Sequence, residues 1–271
     1  SHFPREMTPE QIGAYVVNAN LSDIAAMGAV PFGMLVSLGL PGDLDEDFVE
    51  GIARGMDDEC VRNGIHILGG DTKEQKELII VGTALGKVQK NRILTRGGAK
   101  EGDLICATGN LGSAAAGFYC LTNGIKNERL INAALEPKAR VKEGIALSKY
   151  ASACIDISDG LGYSLHEISK LSDVGFVVRE EDIPVDRDLE KVAEAVNVSA
   201  KEMVFSKGGD YELLCTISPE KYDDALAELK ELNGGLTVIG EITEAGGRLM
   251  TEADVLEDVE ARGYDSFRNF Q

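Results

Sequence analysis

The sequence predicts an α/β (α+β) protein in two parts that meet near residue 100. Three observations carry that reading. Apolar residues recur at the helical period and in strand-length runs that alternate along the chain. Gly, Pro and Asn punctuate most changes of period. A polar stretch over residues 89–103, containing Gly97-Gly98, offers a joint. The expected division is 1–100 and 101–271, and a chain of 271 residues with 44% hydrophobic residues can fill the core this requires.

In the first part, Thr8-Pro-Glu-Gln11 reads as a capping box with proline at the first helical position, followed by Ile12, Val16, Ala19 and Met27 at helical spacing. Asp23 falls on that stripe, which favours a functional carboxylate, with a helix-register error or a simple buried hydrogen bond as the alternatives. A strand over 32–40 ends at Pro41-Gly42, and an amphipathic helix over 44–62 closes at Asn63-Gly64. A short strand over 65–68 feeds Gly69-Gly-Asp-Thr72, and 77–88 reads as another strand.

The second part opens with a strand over 104–108 that runs into Gly109-Asn-Leu-Gly-Ser113 and an alanine-rich helix. A glycine turn at a helix N-terminus suits phosphate, although a plain strand-to-helix turn reads equally well and neither the P-loop ending nor a dinucleotide spacing is present. Pro137 is expected to begin a helix to about 150, followed by a strand over 152–157 whose exit carries Asp156, Ser158 and Asp159. Gly160 starts a helix with Leu161, Leu165, Ile168 and Leu171 on one stripe. Lys207-Gly-Gly-Asp-Tyr-Glu-Leu213 enters a strand, a helix spans 220–232, and 236–242 is a strand.

A net charge of −19 repels nucleic acid and acidic membrane surfaces, both polyanions. For most of the 46 acids that charge means solubility. No run approaches the roughly 18 apolar residues of a membrane span. Five cysteines without a C-x-x-C pattern point to reduced thiols and a cytoplasmic setting. Among the acids, Asp23, Asp71, Asp156 and Asp159 stand where uncompensated charge is costly, and together they read as a magnesium-phosphate site. Hard divalent cations favour scattered carboxylate oxygens plus substrate phosphates. Asp156 and Asp159 repel each other unless a cation lies between them, whereas Asp159 alone could be a helix cap.

These residues, with His2-Phe-Pro4, Asn20-Leu-Ser-Asp-Ile-Ala-Ala-Met-Gly28, Leu94-Thr-Arg96, Gly209-Asp-Tyr-Glu-Leu213 and Gly263-Tyr-Asp-Ser-Phe267, resemble the thiamine-monophosphate kinase family of the aminoimidazole-ribonucleotide synthetase superfamily. The resemblance covers essentially the whole chain. It implies a two-domain fold whose N-terminal sheets pair in a homodimer, with ATP and Mg2+ acting on thiamine monophosphate to give thiamine diphosphate. By motif position it makes Asp23, Asp71, Asp156 and Asp159 magnesium ligands. It places Gly70, Asp71, Arg96 and Ser158 on ATP, with Asp71, Asp156 and Arg96 as the catalytic group, and His2, Glu212 and Phe267 on the thiamine phosphate.

Two departures stand out. The family pattern begins upstream of Ser1 with further acidic ligands, expected to lie in a segment preceding this sequence, and Ser266 stands where the family often has His. Lys207 offers additional positive charge. Two other readings stay open: a sister enzyme of the superfamily acting on another substrate, and a non-catalytic nucleotide-binding regulator. No terminal Cys supports the hydrogenase-maturation variant, since the chain ends Asn269-Phe-Gln271.

Overall fold

The computed structural model describes residues 3–244, 246–250 and 255–264. Helix α1 (Pro9–Ala26) starts as its sequence requires: the Thr8 hydroxyl accepts from the Gln11 N–H while the Gln11 side chain accepts from the Thr8 N–H. Its buried stripe is Ile12, Val16, Val17, Leu21 and Ala25. Asp23 lies off that stripe and is exposed, as is Met27, so the sequence-based placement of Asp23 on the apolar face is corrected. The reason is that the buried face drifts with the 3.6-residue period toward Leu21 and Ala25.

Strand β1 (Val30–Leu40) is central in a three-stranded sheet, parallel to β2 (Ile67–Glu74) and antiparallel to β3 (Ile79–Lys87). Helix α2 (Glu46–Arg62) packs on α1 and joins the same core as Met34 and Val36 of β1. The Gly69-Gly-Asp-Thr72 motif, expected to follow a strand over 65–68, lies within β2. Gly70 explains how: a Cβ there would sit 1.6 Å from the Val36 carbonyl oxygen, so only glycine lets the strands approach this closely.

The second sheet has seven strands in the order β10-β9-β6-β8-β4-β7-β5, formed by β4 (Leu104–Ala107), β5 (Ala151–Ile157), β6 (Gly175–Arg179), β7 (Glu212–Ile217), β8 (Thr237–Thr243), β9 (Gly247–Met250) and β10 (Leu256–Asp258). Strands β5 and β7 serve two cores by alternation. Ile155, Ile157 and Leu214 join α3 (Ser113–Asn123), α4 (Glu128–Leu135), α6 (Leu161–Ser172), α7 (Leu189–Val196) and α8 (Ala200–Phe205). Cys154, Leu213 and Cys215 face α1, α5 (Val141–Leu147) and α9 (Pro219–Glu231). Helix α1 therefore belongs to a core that reaches both sheets. Its fully buried Val17, Leu21 and Ala25 tie them together, each large side chain contributing roughly 1.5–3 kcal/mol.

Three further expectations change. Pro137 does not itself start a helix: the helix expected from it to about 150 is α5, which begins at Val141. Leu171 is exposed, since the buried stripe of α6 ends at Ile168. Strands β6, β9 and β10 and helices α7 and α8 have no counterpart in the sequence reading, because such short elements carry too few periods to register.

Candidate functional site

Four chain segments meet where α1 crosses the end of β5. Helix α1 brings Tyr15, Ser22 and Asp23, and the exit of β5 brings Asp156, Ser158 and Asp159. Residues 94–96 are pinned between them: Leu94 N–H donates to the Met27 carbonyl at 3.1 Å, and Cys154 N–H donates to the Thr95 carbonyl at 2.9 Å, which delivers Arg96 to the cluster. The loop before β7 closes the side, with Gly209 N–H on the Ser158 carbonyl at 2.9 Å and Tyr211 N–H on the Ile157 carbonyl at 3.0 Å. Tyr264 N–H reaches the Asp159 carbonyl at 3.0 Å.

Asp156 is the most constrained carboxylate, only 5% exposed, and Ser22 Oγ donates to its Oδ2 at 2.8 Å. Burial, reinforced by the negative charge of Asp23, pushes it up to about 6 against the Ser22 bond and Arg96. Burial also raises Asp23 and Asp159; Arg96 opposes both shifts, Asp159 adds to that of Asp23, and the Ser158 hydroxyl at 3.3 Å opposes that of Asp159. Asp23 is exposed on the surface, yet crowding by surrounding atoms is the largest influence on it. Three raised carboxylates facing one guanidinium, itself shared with Glu167 at 3.4 Å, form a site short of positive charge.

The structure thus brings together Asp23, Asp156, Asp159, Ser158 and Arg96. Asp71 is exposed on β2, opposite Ser37 in register, with Lys73 Nζ at 3.4 Å. Gly70 is with it on β2. Glu212 is buried and paired: Arg140 Nε and Nη2 donate to it at 2.6 and 2.5 Å, and Thr108 Oγ1 at 2.7 Å. Gly109, at φ 55°, makes room for that carboxylate, since a Cβ there would lie 2.0 Å from Oε1. A cleft of about 160 Å³ opens beside this pair, between Thr108, Arg140, Glu143 and Asn233. Lys207 pairs with Glu202 at 3.2 Å. His2 and Phe267 lie outside the described residues.

The glycine turn before α3 needs no phosphate. The Gly112 and Ala114 N–H groups donate to the Asp210 carboxylate at 2.7 and 2.9 Å, so the chain supplies its own anion to that helix N-terminus. Sequence reasoning gives no role to Ser22, Asp210, Arg140, Tyr15 or Tyr211. Ser22, Asp210 and Tyr211 had a signal, each lying inside a quoted motif, while Arg140 is recognisable only through its fork on Glu212. Tyr211 holds φ 53°, a left-handed conformation that costs a bulky residue roughly 1–3 kcal/mol and is characteristic of functional sites.

Among the described residues no three acidic, His or Cys side chains close into a set able to hold a metal ion. The donor chemistry of Asp23, Asp156 and Asp159 nevertheless suits a hard divalent cation. It is all carboxylate oxygen, with a buried member raised by a like-charged neighbour, and a cation would relieve both strains.

A small sheet and a seven-stranded sheet joined through one helix, with carboxylates gathered at the junction, define the class of AIR synthase related proteins. The family model for the N-terminal domain of that class matches residues 1–88, and the model for its C-terminal domain matches residues 100–251. The chain is 38% identical over 266 residues to a thiamine-monophosphate kinase of Pyrococcus horikoshii, covering 98% of this chain and 82% of that protein. With that of Bacillus subtilis it shares 30% over 272 residues, covering 96% and 82%. The chain belongs to the thiamine-monophosphate kinase family.

Solved structures agree. The thiamine-monophosphate kinase of Stenotrophomonas maltophilia superposes with a TM-score of 0.86 at 31% identity, covering 96% of this chain and 82% of that one. The structure described as AaThiL complexed with AMPPCP and TMP gives 0.86 at 29%, covering 98% and 83%. The Escherichia coli hydrogenase maturation protein HypE gives 0.83 at 21%, covering 94% and 81%, a likeness of fold alone.

Proposed function

We propose that this protein transfers the γ-phosphoryl group of ATP to the phosphate of thiamine monophosphate, giving thiamine diphosphate. The observation that carries the reading is the junction of Asp23, Asp156, Asp159 and Arg96, in a fold shared with a kinase solved with an ATP analogue and TMP. Two polyanionic substrates brought into line repel each other, and a cluster of carboxylates makes sense there only with cations. Asp23, Asp156 and Asp159, with Asp71 contributing, would hold magnesium, which would supply the charge neutralisation.

Arg96 supplies fixed positive charge to the nucleotide, with Ser158 and the Gly70-Asp71 backbone as further ATP contacts, and Asp71, Asp156 and Arg96 form the catalytic group. The acceptor phosphate already carries a charged oxygen, so the chain needs no general base. Accordingly His166 serves the fold, its Nε2 bonded to the Val259 carbonyl at 2.7 Å. Glu212, with His2 and Phe267, receives the vitamin moiety.

Residues 1–100 form the dimerising part and 101–271 the second domain. The dimer covers the open face of the small sheet, where Phe32, Leu35 and Val81 are exposed. Among the described residues no helix is long and apolar enough to cross a membrane. Buried free cysteines fit a reducing cytoplasm.

The test is turnover of ATP with thiamine monophosphate, read by chromatography of thiamine diphosphate. Product should form only with magnesium, stop with chelator, and fall about a hundredfold in Asp71→Asn. Absence of the diphosphate with both substrates and magnesium present would overturn the reading.

A further inference from the structure

Beside the aspartates stands a row of aromatic side chains drawn from distant parts of the chain. Phe3 meets Tyr15 edge-on, with centroids 6.0 Å apart at 86°, and Tyr15 meets Tyr211 edge-on at 5.8 Å and 83°. The two phenol oxygens lie 3.1 Å apart. Two hydroxyls carry two hydrogens, and one mutual bond uses only one of them. Among the described residues the second hydrogen has no further acceptor. Asp156 and Asp159 act on Tyr211 through their charge but accept no hydrogen bond from it. The phenol pair therefore stands close to the carboxylates, Tyr211 being bonded through its N–H to Ile157 beside Asp156, with a donor to spare among the described residues.

The backbone is shaped to hold that arrangement. Tyr211 is one of four residues other than glycine with positive φ among the described residues, and the other three, Asp173, Asn197 and Asn233, are of the small polar types that tolerate it. Its N–H is bonded to the Ile157 carbonyl, one residue from Asp156. The next residue, Glu212, enters the strand under the fork of Arg140. A strained position secured on both sides, whose side chain ends at a surplus donor, is built for something other than packing.

We propose that Tyr211 is a ligand-contacting residue whose phenol hydrogen, steadied by Tyr15, is donated to a phosphoryl oxygen bound beside Asp156 and Asp159. Tyr15 is a positioning residue: it accepts or donates the mutual bond and sets which way the Tyr211 hydroxyl points. In a site crowded with carboxylates, a neutral phenol can bond a phosphoryl oxygen without adding to the repulsion. The inference rests on the kinase reading, since it takes the ligand oxygen from ATP or from thiamine monophosphate.

Tyr211→Phe keeps the ring and its edge contact and removes only the hydroxyl. Steady-state kinetics of the full-length protein with magnesium should show kcat/KM reduced about ten- to a hundredfold, with the melting temperature within a few degrees of wild type. Loss confined to the thiamine monophosphate parameters places the contact on the acceptor, and loss confined to the ATP parameters places it on the nucleotide. Tyr15→Phe should lose less, and the double variant no more than Tyr211→Phe alone, because Tyr15 acts only through Tyr211. Unchanged kinetics in Tyr211→Phe overturn the proposal, as does a lowered melting temperature with wild-type kinetics below it. A wild-type protein inert toward thiamine monophosphate would sink the kinase reading separately. The phenol is then tested by calorimetry with magnesium-ATP, and an affinity unchanged by Tyr211→Phe overturns it there too.

Discussion

Replacing Asp156 by Asn should make the metal-free protein more stable at neutral pH while disabling it. The carboxyl is 5% exposed and is pushed from its ordinary 3.8 up to about 6, by burial first and Asp23 second. Between those values the folded protein binds a proton that the unfolded chain has released, so stability falls as pH rises through the window and the loss is complete above about 6. Roughly two units at about 1.4 kcal/mol each give about 3 kcal/mol. The amide in Asp156→Asn keeps an acceptor for the Ser22 hydroxyl and removes the charge. Urea unfolding at fixed protein concentration, in chelator, should show wild type losing stability from pH 4 to 6.5 relative to the variant. At pH 7.5 the variant should lead by about 2–3 kcal/mol, and adding magnesium should raise wild type far more than the variant. Comparing the two proteins cancels the other carboxylates. A variant less stable than wild type at pH 7.5 without metal would show that the ionised carboxylate is not a cost in this fold, and the argument for a cation at this position would go with it.

The assembly prediction rests on the open sheet face: light scattering should give twice 29.0 kDa, and Val81→Lys, at a side chain 54% exposed on that face, should return the monomer mass. A mass near 29.0 kDa across a wide range of concentration would exclude the dimer. Phosphoryl transfer should be direct, because carboxylates committed to a cation are poor nucleophiles, so a chiral γ-phosphorus should invert. An aspartyl phosphate trapped on Asp156 or Asp159 after acid quench would make that residue a covalent catalyst instead.

Local physics was legible along most of the chain. The Thr8-Gln11 capping box, the β1 and α2 runs, the β5 exit and the α9 helix need only neighbouring residues to specify them, and the structure places them within a few residues of expectation. The aspartates too were visible in the sequence, because a carboxylate beside buried apolar residues breaks a local rule wherever the chain goes next. What the sequence could not say is which of them meet. Asp23 and Asp156 are 133 residues apart and are joined only because α1 lies across β5, with Ser22 bonded to Asp156. Asp71, equally conspicuous in its motif, is carried on β2 and pairs there with Lys73. The turn before α3 read equally as a phosphate site or a plain turn until folding placed Asp210 on its N–H groups, and nothing in the sequence announced the fork of Arg140 on Glu212. Periodicity and turn chemistry act over a few residues, whereas charge and hydrogen bonding act on whatever lies within a few ångströms, and only the packing of α1 between two sheets decided what that would be.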